Sequence, residues 1–591
     1  MSDDRFNLTE ATLRQRQLAW FFVLLVAIGG IIAYTQLGQR EDPDFAFRYM
    51  VIRTQWPGAS AEQVEREVTE RIVKKLQEMP YFRRTTSYSR AGESLAILEL
   101  QEFAPPSEVT ALWYQARKKM ADLRTSLPVE AIGPSFNDEF GDVFGTIYAF
   151  TGEGFTHAEL RDYVERVRQR LYRLPDVSKI DLIGVQPEKI TITLSHARLA
   201  KLGISALAIA QAIQAHNIVR DGGALHAGDF SVPLRVSGGI SDIAQLAALP
   251  LNLNGRILRL GDVAEVKRGY LDPPEILMRY GGRQAIGLAV AMQSRGDVLR
   301  LGNDLTREMA ALRAELPIGI EFAKVTDQPA IVKKAVEEFM RSFLEAVAIV
   351  LVASFIFLGV RAGLVVGITI PLVIAGTFLL MRWLHIDLHR ISTGALILSL
   401  GLLVDDAIIA VEMMVRKLEE GFDRVRAAAF AYTSTAFPML TGTLITIAGF
   451  LPIATAQSTT GEYTFAMFSV VALALLVSWV AAIVVTPLAG FYLLKPHGSG
   501  VPDVFDTVFY RRLRRLIEWC LVHRKTVIGG TLLLFLLGVG GMALTEKQFF
   551  PSSNRLELLV ELWLPEGSDI HATERETARL EIGRASCRER V

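Results

Sequence analysis

Seven long runs of apolar residues divide this chain, and they constrain its fold more than any other feature of the sequence. A helix needs about 20 consecutive apolar residues to cross the hydrocarbon core of a bilayer. A buried helix in a large soluble core would explain one such run. Seven runs in one chain instead favour an α-helical polytopic membrane protein. The runs are Leu18–Leu37, Phe343–Val360, Ala362–Met381, Ile391–Met414, Ala436–Ala456, Phe465–Leu494 and Thr526–Leu544.

Basic residues between the runs predict which side of the membrane each loop faces. Lys and Arg favour cytoplasmic loops, and Arg14 and Arg16 precede the first run, so the N-terminus is expected in the cytoplasm. The basic loops after the fourth and sixth runs are then cytoplasmic, whereas Arg382 and Arg390 in a short external loop depart from the rule. Phe505–Leu521 has helical spacing with arginines on the face opposite the apolar one, which predicts a helix lying on the inner membrane surface.

The large stretch between the first two runs, which this topology places outside the cytoplasm, repeats one pattern of strands and helices. Each copy reads as strand, helix, strand, strand and a further helix, which predicts two split βαβ (ferredoxin-like) modules in an α+β domain. Two subdomains facing a shared cleft and a duplicated scaffold without a binding role both remain open. The expected segments are Phe47–Thr54, Ser60–Gln77, Arg83–Tyr88 and Ser94–Leu100 in the first copy, and Gly145–Phe150, Thr156–Leu171, Ser178–Ile183 and Lys189–Leu194 in the second.

The fourth run carries two adjacent acidic residues, Asp405 and Asp406, close to the middle of the expected span. An acidic side chain at that depth costs about 2.5–3.5 kcal/mol on insertion scales, so the pair requires a compensating partner or a function. Burial and mutual repulsion both disfavour the ionised carboxylates, and a nearby Lys would favour them again. A proton relay is therefore the favoured interpretation, and salt bridges that hold a helix bundle together are the structural alternative.

Several other classes of function lack support in the sequence. The chain has 63 basic and 63 acidic residues, and this zero net charge argues against nucleic-acid binding. The dipeptide Gly-Lys is absent, so no nucleotide-binding phosphate loop exists. The nine histidines and two cysteines show no metal-ligand spacing, and no nucleophile and base stand at a recognisable spacing. No cofactor, no metal and no enzymatic activity are expected.

Three segments of the chain resemble the resistance-nodulation-division (RND) exporters, and the similarity extends over residues 1 to about 580. The most specific is Gly401–Glu412, whose Val-Asp-Asp sequence is similar to the hydrophobe and multidrug (HAE1-like) branch. Metal exporters of the family usually have Gly where Asp406 stands. Trp56–Glu65 after the first run and Thr486-Pro487 at the end of the sixth run support the resemblance.

The resemblance implies a proton-driven efflux permease of the bacterial inner membrane that exports hydrophobic or amphiphilic compounds. It further implies a homotrimer that works with a periplasmic adaptor protein and an outer-membrane channel. In the family, paired aspartates relay protons together with a Lys on a later span, and Asp405 and Asp406 take that role by their positions. Phe144 matches a substrate-pocket position and Glu345 an acidic position of the family. Met413 departs from the Asn that usually stands there.

The family has twelve spans, so the chain is expected to be the N-terminal half of a permease and to be inactive alone. A segment near residues 220–231 is shorter than the family's trimer-docking hairpin, and the last eleven residues resemble a translated sequencing adapter. The expected divisions are 1–38 (N-terminus and first span), 39–332 (porter region, with an inserted docking subdomain at about 180–270), 333–495 (spans two to six), 496–524 (cytoplasmic amphipathic helix), 525–545 (seventh span), 546–580 (start of a second periplasmic domain) and 581–591 (adapter-derived sequence).

Three rival interpretations stay open at the level of sequence. A sister branch of the family would export lipids or metals instead of drugs. A membrane receptor or structural subunit without transport would tolerate neutral replacements at both aspartates. An assembly artefact would have no biological product at all.

Overall fold

The computed structural model describes residues 7–140, 143–216, 221–235, 242–253, 256–293, 296–495, 508–542, 544, 559–565 and 567–588. The chain divides into two compact units. The first unit comprises Met1–Val143, Ser294–Gly302 and Gln328–Leu558, and the second comprises Phe144–Gln293, Asn303–Asp327 and Leu559–Val591.

The first unit begins with two helices and a sheet domain. Within that domain, Ser60 caps the first helix and exchanges hydrogen bonds with Gln63, which fixes the turn that follows the first strand. The elements are α1 (Leu8–Arg14), α2 (Arg16–Gln36), β1 (Tyr49–Gln55), α3 (Ala61–Val64), a π-helical turn (Glu65–Thr69), α4 (Glu70–Leu76), β2 (Phe82–Arg90), β3 (Glu93–Leu100), α5 (Pro106–Leu123), a 3₁₀ turn (Arg124–Ser126) and β4 (Ile132–Asn137).

The sheet of this first domain is antiparallel and has the strand order β2-β3-β1-β4. Buried residues of β1 and β3, such as Ile52 and Leu98, form one core with Ile72 of α4 and Trp113 of α5. Burial alternates along β3 from Glu93 to Leu98, because every second residue of a strand points to the same face. The helices therefore cover one face of the sheet.

The second unit contains a second sheet and a smaller inserted fold. Its Thr156 caps the first helix in a capping box: the Thr156 hydroxyl accepts from the Glu159 N–H, and the Glu159 carboxylate accepts from the Thr156 N–H. The elements are β5 (Thr146–Gly152), α6 (His157–Leu171), β6 (Val177–Ile183), β7 (Glu188–Leu194), α7 (His196–Leu202), α8 (Ala206–His216), β8 (Asp221–Ala227), β9 (Phe230–Arg235), α9 (Ile243–Ala247), β10 (Pro250–Leu253), β11 (Arg256–Arg259), α10 (Leu260–Val263), β12 (Ala264–Tyr270), β13 (Met278–Tyr280), β14 (Arg283–Met292), α11 (Val298–Glu315) and β15 (Ile320–Asp327).

The second sheet repeats the order of the first sheet, although its strands are far apart in the sequence. Strand β14 lies between β5 and β6, and β15 pairs with the other edge of β5. The expected third strand, Lys189–Leu194, was wrong as a member of this sheet: it lies in β7, which pairs with β12 in a separate two-stranded sheet. Local alternation identifies a strand but does not specify its partner, and here an insertion separates the two partners.

The remaining helices complete the first unit and include most of the candidate spans. Seven helices of the described residues, α2 among them, are long and apolar enough to cross a membrane, as the seven runs predict. Short amphipathic α17 and terminal α19 do not belong to that set. The helices are α12 (Gln328–Leu358), α13 (Val360–Trp383), α14 (Arg390–Glu419), α15 (Arg424–Thr455), α16 (Thr459–Leu493), α17 (Val508–Val522), α18 (Arg524–Met542) and, in the second unit, α19 (Ile570–Arg588).

Two of these helices begin well before the apolar runs that identify them. Helix α12 begins at Gln328 instead of Phe343, and α15 begins at Arg424 instead of Ala436. The N-terminal part of each helix carries charged side chains, from Lys333 to Arg341 in α12 and at Arg424 and Arg426 in α15, so a hydropathy criterion omits it although its backbone is helical. Asp423 caps α15 by accepting a hydrogen bond from the Arg426 N–H at 3.3 Å, which explains its early start.

Candidate functional site

Helix α14 packs against four other helices of the bundle, namely α12, α13, α15 and α16. Its buried side is lined with small residues, including Ala395, Ser399, Ala407 and Ala410. Small side chains allow close approach of neighbouring helices. Because α14 and α16 lie close together, the Ser478 hydroxyl of α16 donates a hydrogen bond to the Leu403 carbonyl at 2.8 Å. This bond fixes α14 against α16 two residues before the acid pair.

Asp406 is half-buried and faces α15. The Thr443 hydroxyl of α15 lies 3.5 Å from Asp406 Oδ2 and also 2.9 Å from the Met439 carbonyl of its own helix. A hydroxyl has one proton, so Thr443 donates either to the carboxylate or to the carbonyl. Asp406 therefore has one neutral, exchangeable hydrogen-bond partner in the adjacent helix.

Asp405 points away from the packed helices and is exposed. It belongs to a continuous open stripe on α14, because exposed residues recur at spacings of three and four along the helix. Gly394 and Gly401 lie on this stripe, and a Cβ built at either glycine would meet no atom within 4 Å. We call this stripe the open face of α14. It consists of Gly394, Leu398, Gly401, Asp405, Ile409, Glu412, Arg416 and Glu419.

Within the described part of the chain, no Lys, Arg or His lies within 4 Å of Asp405 or Asp406. The bundle-holding salt bridges that the sequence leaves open as an alternative therefore do not form between the acid pair and these residues. An acidic residue in a membrane span normally pairs or faces a polar cavity. The open position of Asp405 is where such a partner has room to approach.

The two other residues that the resemblance singles out lie in different surroundings. Phe144 is half-buried and lies two residues before the start of β5 in the second unit. Glu345 lies on α12, where its carboxylate pairs with Arg341 of the preceding turn at 2.9 Å, both side chains being exposed. The roles assigned to both positions stay predictions. Among the described residues, no group of three or more His, Cys, Asp or Glu is placed to hold a metal ion.

Sequence reasoning missed Thr443 and Ser478 as neighbours of the acid pair. Both are hydroxyl residues inside apolar runs, and that is the only local signal they carry. Their neighbourhood with α14 depends on how the helices pack, which hydropathy does not specify. A polar residue inside a span is nevertheless a reasonable candidate for a partner of an intramembrane acid.

Comparison with known proteins agrees with the landmarks that follow β1 and that lie in α14 and α16. The model of the AcrB/AcrD/AcrF family matches residues 8–584. The multidrug resistance protein MdtC of Pantoea ananatis is 27% identical over 480 residues, which cover 80% of this chain and 46% of that protein. MdtC of Yersinia pseudotuberculosis (strain YPIII) and of Yersinia pestis (strain Angola) are each 26% identical over 543 residues, 90% of this chain and 52% of each relative.

This chain thus spans about half the length of the curated relatives that it matches. The family match covers nearly all of it, including the helix that carries the acid pair and both sheets. We conclude that the chain belongs to the AcrB/AcrD/AcrF family of resistance-nodulation-division membrane transporters.

Proposed function

We propose that this chain is the N-terminal half of a proton-driven efflux permease, in which Asp405 and Asp406 relay protons across the membrane. The observation that carries the proposal is the acid pair itself, placed midway along a central helix and without a cationic partner among the described residues. Two uncompensated carboxylates at such a place are costly as scaffold. Binding and release of protons during a transport cycle would account for two carboxyl groups at this position.

The asymmetry of the pair supports two different roles. Asp406 has Thr443 as a hydrogen-bond partner, so its carboxyl group is oriented by α15. Asp405 lies on the open face of α14 beside Gly401. A cation supplied by a helix outside this chain would reach Asp405 first, and its approach would favour the ionised form. Proton uptake and release would then follow the approach and withdrawal of that cation.

The two sheets fit the porter region of such a permease. In both sheets the third strand of the module lies between the second and the first, and the fourth lies beside the first, which supports the ferredoxin-like interpretation. We place them in the periplasm, because the basic residues of the loops favour a cytoplasmic N-terminus. The exported compounds would be hydrophobic or amphiphilic, as the printed name of the MdtC relatives, multidrug resistance protein, suggests. A periplasmic adaptor, an outer-membrane channel and a trimeric state complete the proposal.

The test uses the transporter encoded by the gene from which this chain derives, with its reading frame continued past residue 580, expressed in a pump-deficient strain. We call this protein the parent transporter. Dye efflux is compared between the parent, Asp405→Asn/Asp406→Asn and the control Glu419→Gln, which removes one exposed charge from the end of the same helix. We expect the double variant to lose efflux, the control to retain it, and a protonophore to abolish it in the parent. Normal efflux in the double variant would reject the relay.

The same strain set tests the inactivity of the chain alone. Residues 1–591 expressed without continuation are expected to reach the membrane and to give no protonophore-sensitive efflux. Efflux from this chain alone at the rate of the parent transporter would reject the half-permease part of the proposal and leave the relay untouched.

A further inference from the structure

A group of mostly charged residues at the N-terminal end of α14 joins this helix to the first sheet domain. It involves residues 38–48, which connect α2 to β1 and which we call the connecting segment. Its members come from four separate parts of the first unit. The junction network, as we call the group, consists of Arg40, Glu41, Asp42 and Arg48 of the connecting segment, Gln328 of α12, Asp387 and Arg390 at the start of α14, and Glu462 and Tyr463 of α16.

The connecting segment is bonded to the loop before α14 through both main chain and side chains. The Arg40 N–H donates to the Leu388 carbonyl at 2.9 Å, and the Arg390 N–H donates to the Glu41 carbonyl at 3.2 Å. The Glu41 carboxylate, only 6% exposed, accepts from Arg390 at 3.1 Å and from the Gln328 amide at 3.0 Å. The first residue of α14 therefore cannot move without Glu41.

The other end of the connecting segment is held by α16. Arg48, which is 3% exposed, forms an ion pair with Glu462, and its guanidinium also donates to the Ala104 carbonyl at 2.7 Å. Glu462 accepts a further hydrogen bond from the Ala46 N–H at 3.0 Å. The main-chain carbonyl of Arg48 accepts from Leu100 of β3 at 3.0 Å, so Arg48 is already part of the sheet.

Buried ion pairs seldom contribute much net stability, because the cost of desolvating both charges offsets their attraction. Their better-supported role is to specify one geometry against others. Here the specified geometry is the position of β1 relative to α14 and α16. The network thus constrains two elements that a flexible linker of the same length would leave independent.

Helix α14 is suited to pass a displacement along its length. Its interior contains no proline, whereas α13, α15 and α16 all contain one or two. Proline inside a helix removes a backbone hydrogen bond and creates a kink. Arg390 and Asp405 are separated by about 22 Å along an unbroken helix, given a rise of 1.5 Å per residue. A shift at the acid pair therefore reaches Arg390 with little loss.

We propose that the junction network couples α14 to the first sheet domain, so that a displacement of α14 at the acid pair moves β1. Glu41, Arg48 and Glu462 are then positioning residues of the transport cycle. This inference rests on the proposed function, because it takes the acid pair as the place where proton binding displaces the helix.

The first test measures transport and proton flow in vesicles reconstituted with the parent transporter. Glu41→Gln and Glu462→Gln keep the shape of each side chain and remove its charge. Glu70→Gln is the matched control, because Glu70 forms an exposed pair with Lys74 at 2.7 Å in the same unit. We expect both junction variants to lower turnover at least tenfold with KM within twofold of the parent, and to raise substrate-independent proton leak at least threefold. The control should differ from the parent by less than twofold in each quantity.

Two outcomes of this test overturn the coupling. One is a parental turnover in both junction variants. The other is a turnover and a proton flux that fall together with the amount of folded protein, as loss of structure alone would cause. Tyr463→Phe, which removes the 2.7 Å bond from the tyrosine hydroxyl to Asp42, provides a gentler variant if the others fail to fold. The Asp405→Asn/Asp406→Asn variant in the same set separates the two proposals: its normal transport rejects the relay, whereas its inactivity beside active junction variants rejects only the coupling.

The second test needs no transport. Asp405→Asn/Asp406→Asn mimics the protonated pair in residues 1–591 held in lipid nanodiscs, and amide hydrogen exchange of Tyr49–Gln55 is the readout. We expect the substitution to change exchange in β1 at least threefold, and this change to disappear when Glu462→Gln is added. Unchanged exchange of β1 in the first comparison, or an equal change with Glu462→Gln present, would overturn the coupling.

Discussion

The contact between α2 and α13 allows a sharp prediction, because it depends on the absence of one Cβ atom. A Cβ built at Gly30 would lie 2.4 Å from the Cβ of Ala375, 2.5 Å from its Cα and 2.6 Å from its carbonyl oxygen. Carbon atoms in good contact are about 3.5–4.0 Å apart, so the two helices would have to separate by about 1 Å or more. The neighbouring atoms belong mainly to backbone, and no side-chain rotation relieves the overlap.

The adjacent residue supplies the matched control. A Cβ at Gly29 would lie 3.2 Å from Leu379 Cδ2, which is the tip of a flexible side chain. Both Gly→Ala changes gain about 1 kcal/mol of helix propensity, so that gain cancels when the two variants are compared. Overpacking costs about 1–3 kcal/mol. Because the overlap at Gly30 involves backbone, we expect Gly30→Ala to be about 2–3 kcal/mol less stable than Gly29→Ala.

The assay is thermal unfolding of the chain in detergent, with the monodisperse fraction measured after heating. For a difference of this size, and an unfolding entropy of about 1.2 kcal/mol/K for a chain of 591 residues, the midpoint of Gly30→Ala should lie about 2 °C below that of Gly29→Ala. Ala375→Gly removes one of the three crowded atoms and should restore part of the loss. Equal midpoints for the two alanine variants, or a lower one for Gly29→Ala, would refute the close approach of α2 and α13.

Three further predictions concern the ends and the packing of the bundle. Burial and the nearby Arg40 guanidinium lower the pKa of His389 to about 4, so the ring is neutral when it caps α14. The free energy of unfolding should therefore fall as pH drops below 6.5, by about 2 kcal/mol between pH 7 and pH 5, and His389→Asn should abolish this pH dependence of the unfolding midpoint. Ser478→Ala should cost about 1 kcal/mol in the same unfolding assay, since it removes the bond to the Leu403 carbonyl, and an unchanged midpoint would contradict that contact. Replacing the four arginines of Arg511–Arg515 by Gln should weaken the binding of α17 to anionic lipid by about 1 kcal/mol per residue. The measurement uses the fluorescence of a label on Cys520, with Cys587→Ser, in anionic and neutral nanodiscs. A salt-sensitive difference between the two lipids is expected in the protein with its arginines and not in the Gln variant.

Most of the bundle could be predicted from the sequence, because a membrane span is specified locally. Each apolar run coincides with most of one helix, and the largest errors occur where charged N-terminal residues extend a helix beyond its run, as in α12 from Gln328 and α15 from Arg424. The predicted amphipathic helix is present from Val508, while Phe505 lies outside the described residues, and its place on the inner membrane surface stays a prediction. The seventh run was predicted to end at Leu544, and the corresponding helix α18 is described as far as Met542.

The sheets show the opposite limit. Their helices were predictable from capping boxes at Ser60 and Thr156 and from periodic apolar residues. Strand β14 was not assigned to the second sheet, because about a hundred residues separate it from β6 and no local signal joins them. Pairing energy arises from contacts across strands. A strand such as β7, which alternates equally well, is a plausible but incorrect partner until the insertion is recognised.

The acid pair was predictable as a site but not as an arrangement. The sequence identifies Asp405 and Asp406 as acidic residues that are unfavourable inside a membrane span. Only the packing of the helices distinguishes the half-buried Asp406 from the exposed Asp405. The junction network was missed entirely. Its carboxylates and arginines belong to short loops and helix ends, where charged residues are common and usually solvated, so burial alone makes them informative.

The distribution of proline and glycine around the site indicates what kind of motion α14 can make. Proline lies inside α13, α15 and α16, three of the four helices packed against it, whereas α14 is continuous from Arg390 to Glu419 and contains no proline. Gly394 and Gly401 leave its open face without side chains at two levels. A continuous helix does not absorb a displacement by bending. The proposed coupling therefore requires α14 to move as a rigid rod, and the charges at its first residue then determine what moves with it.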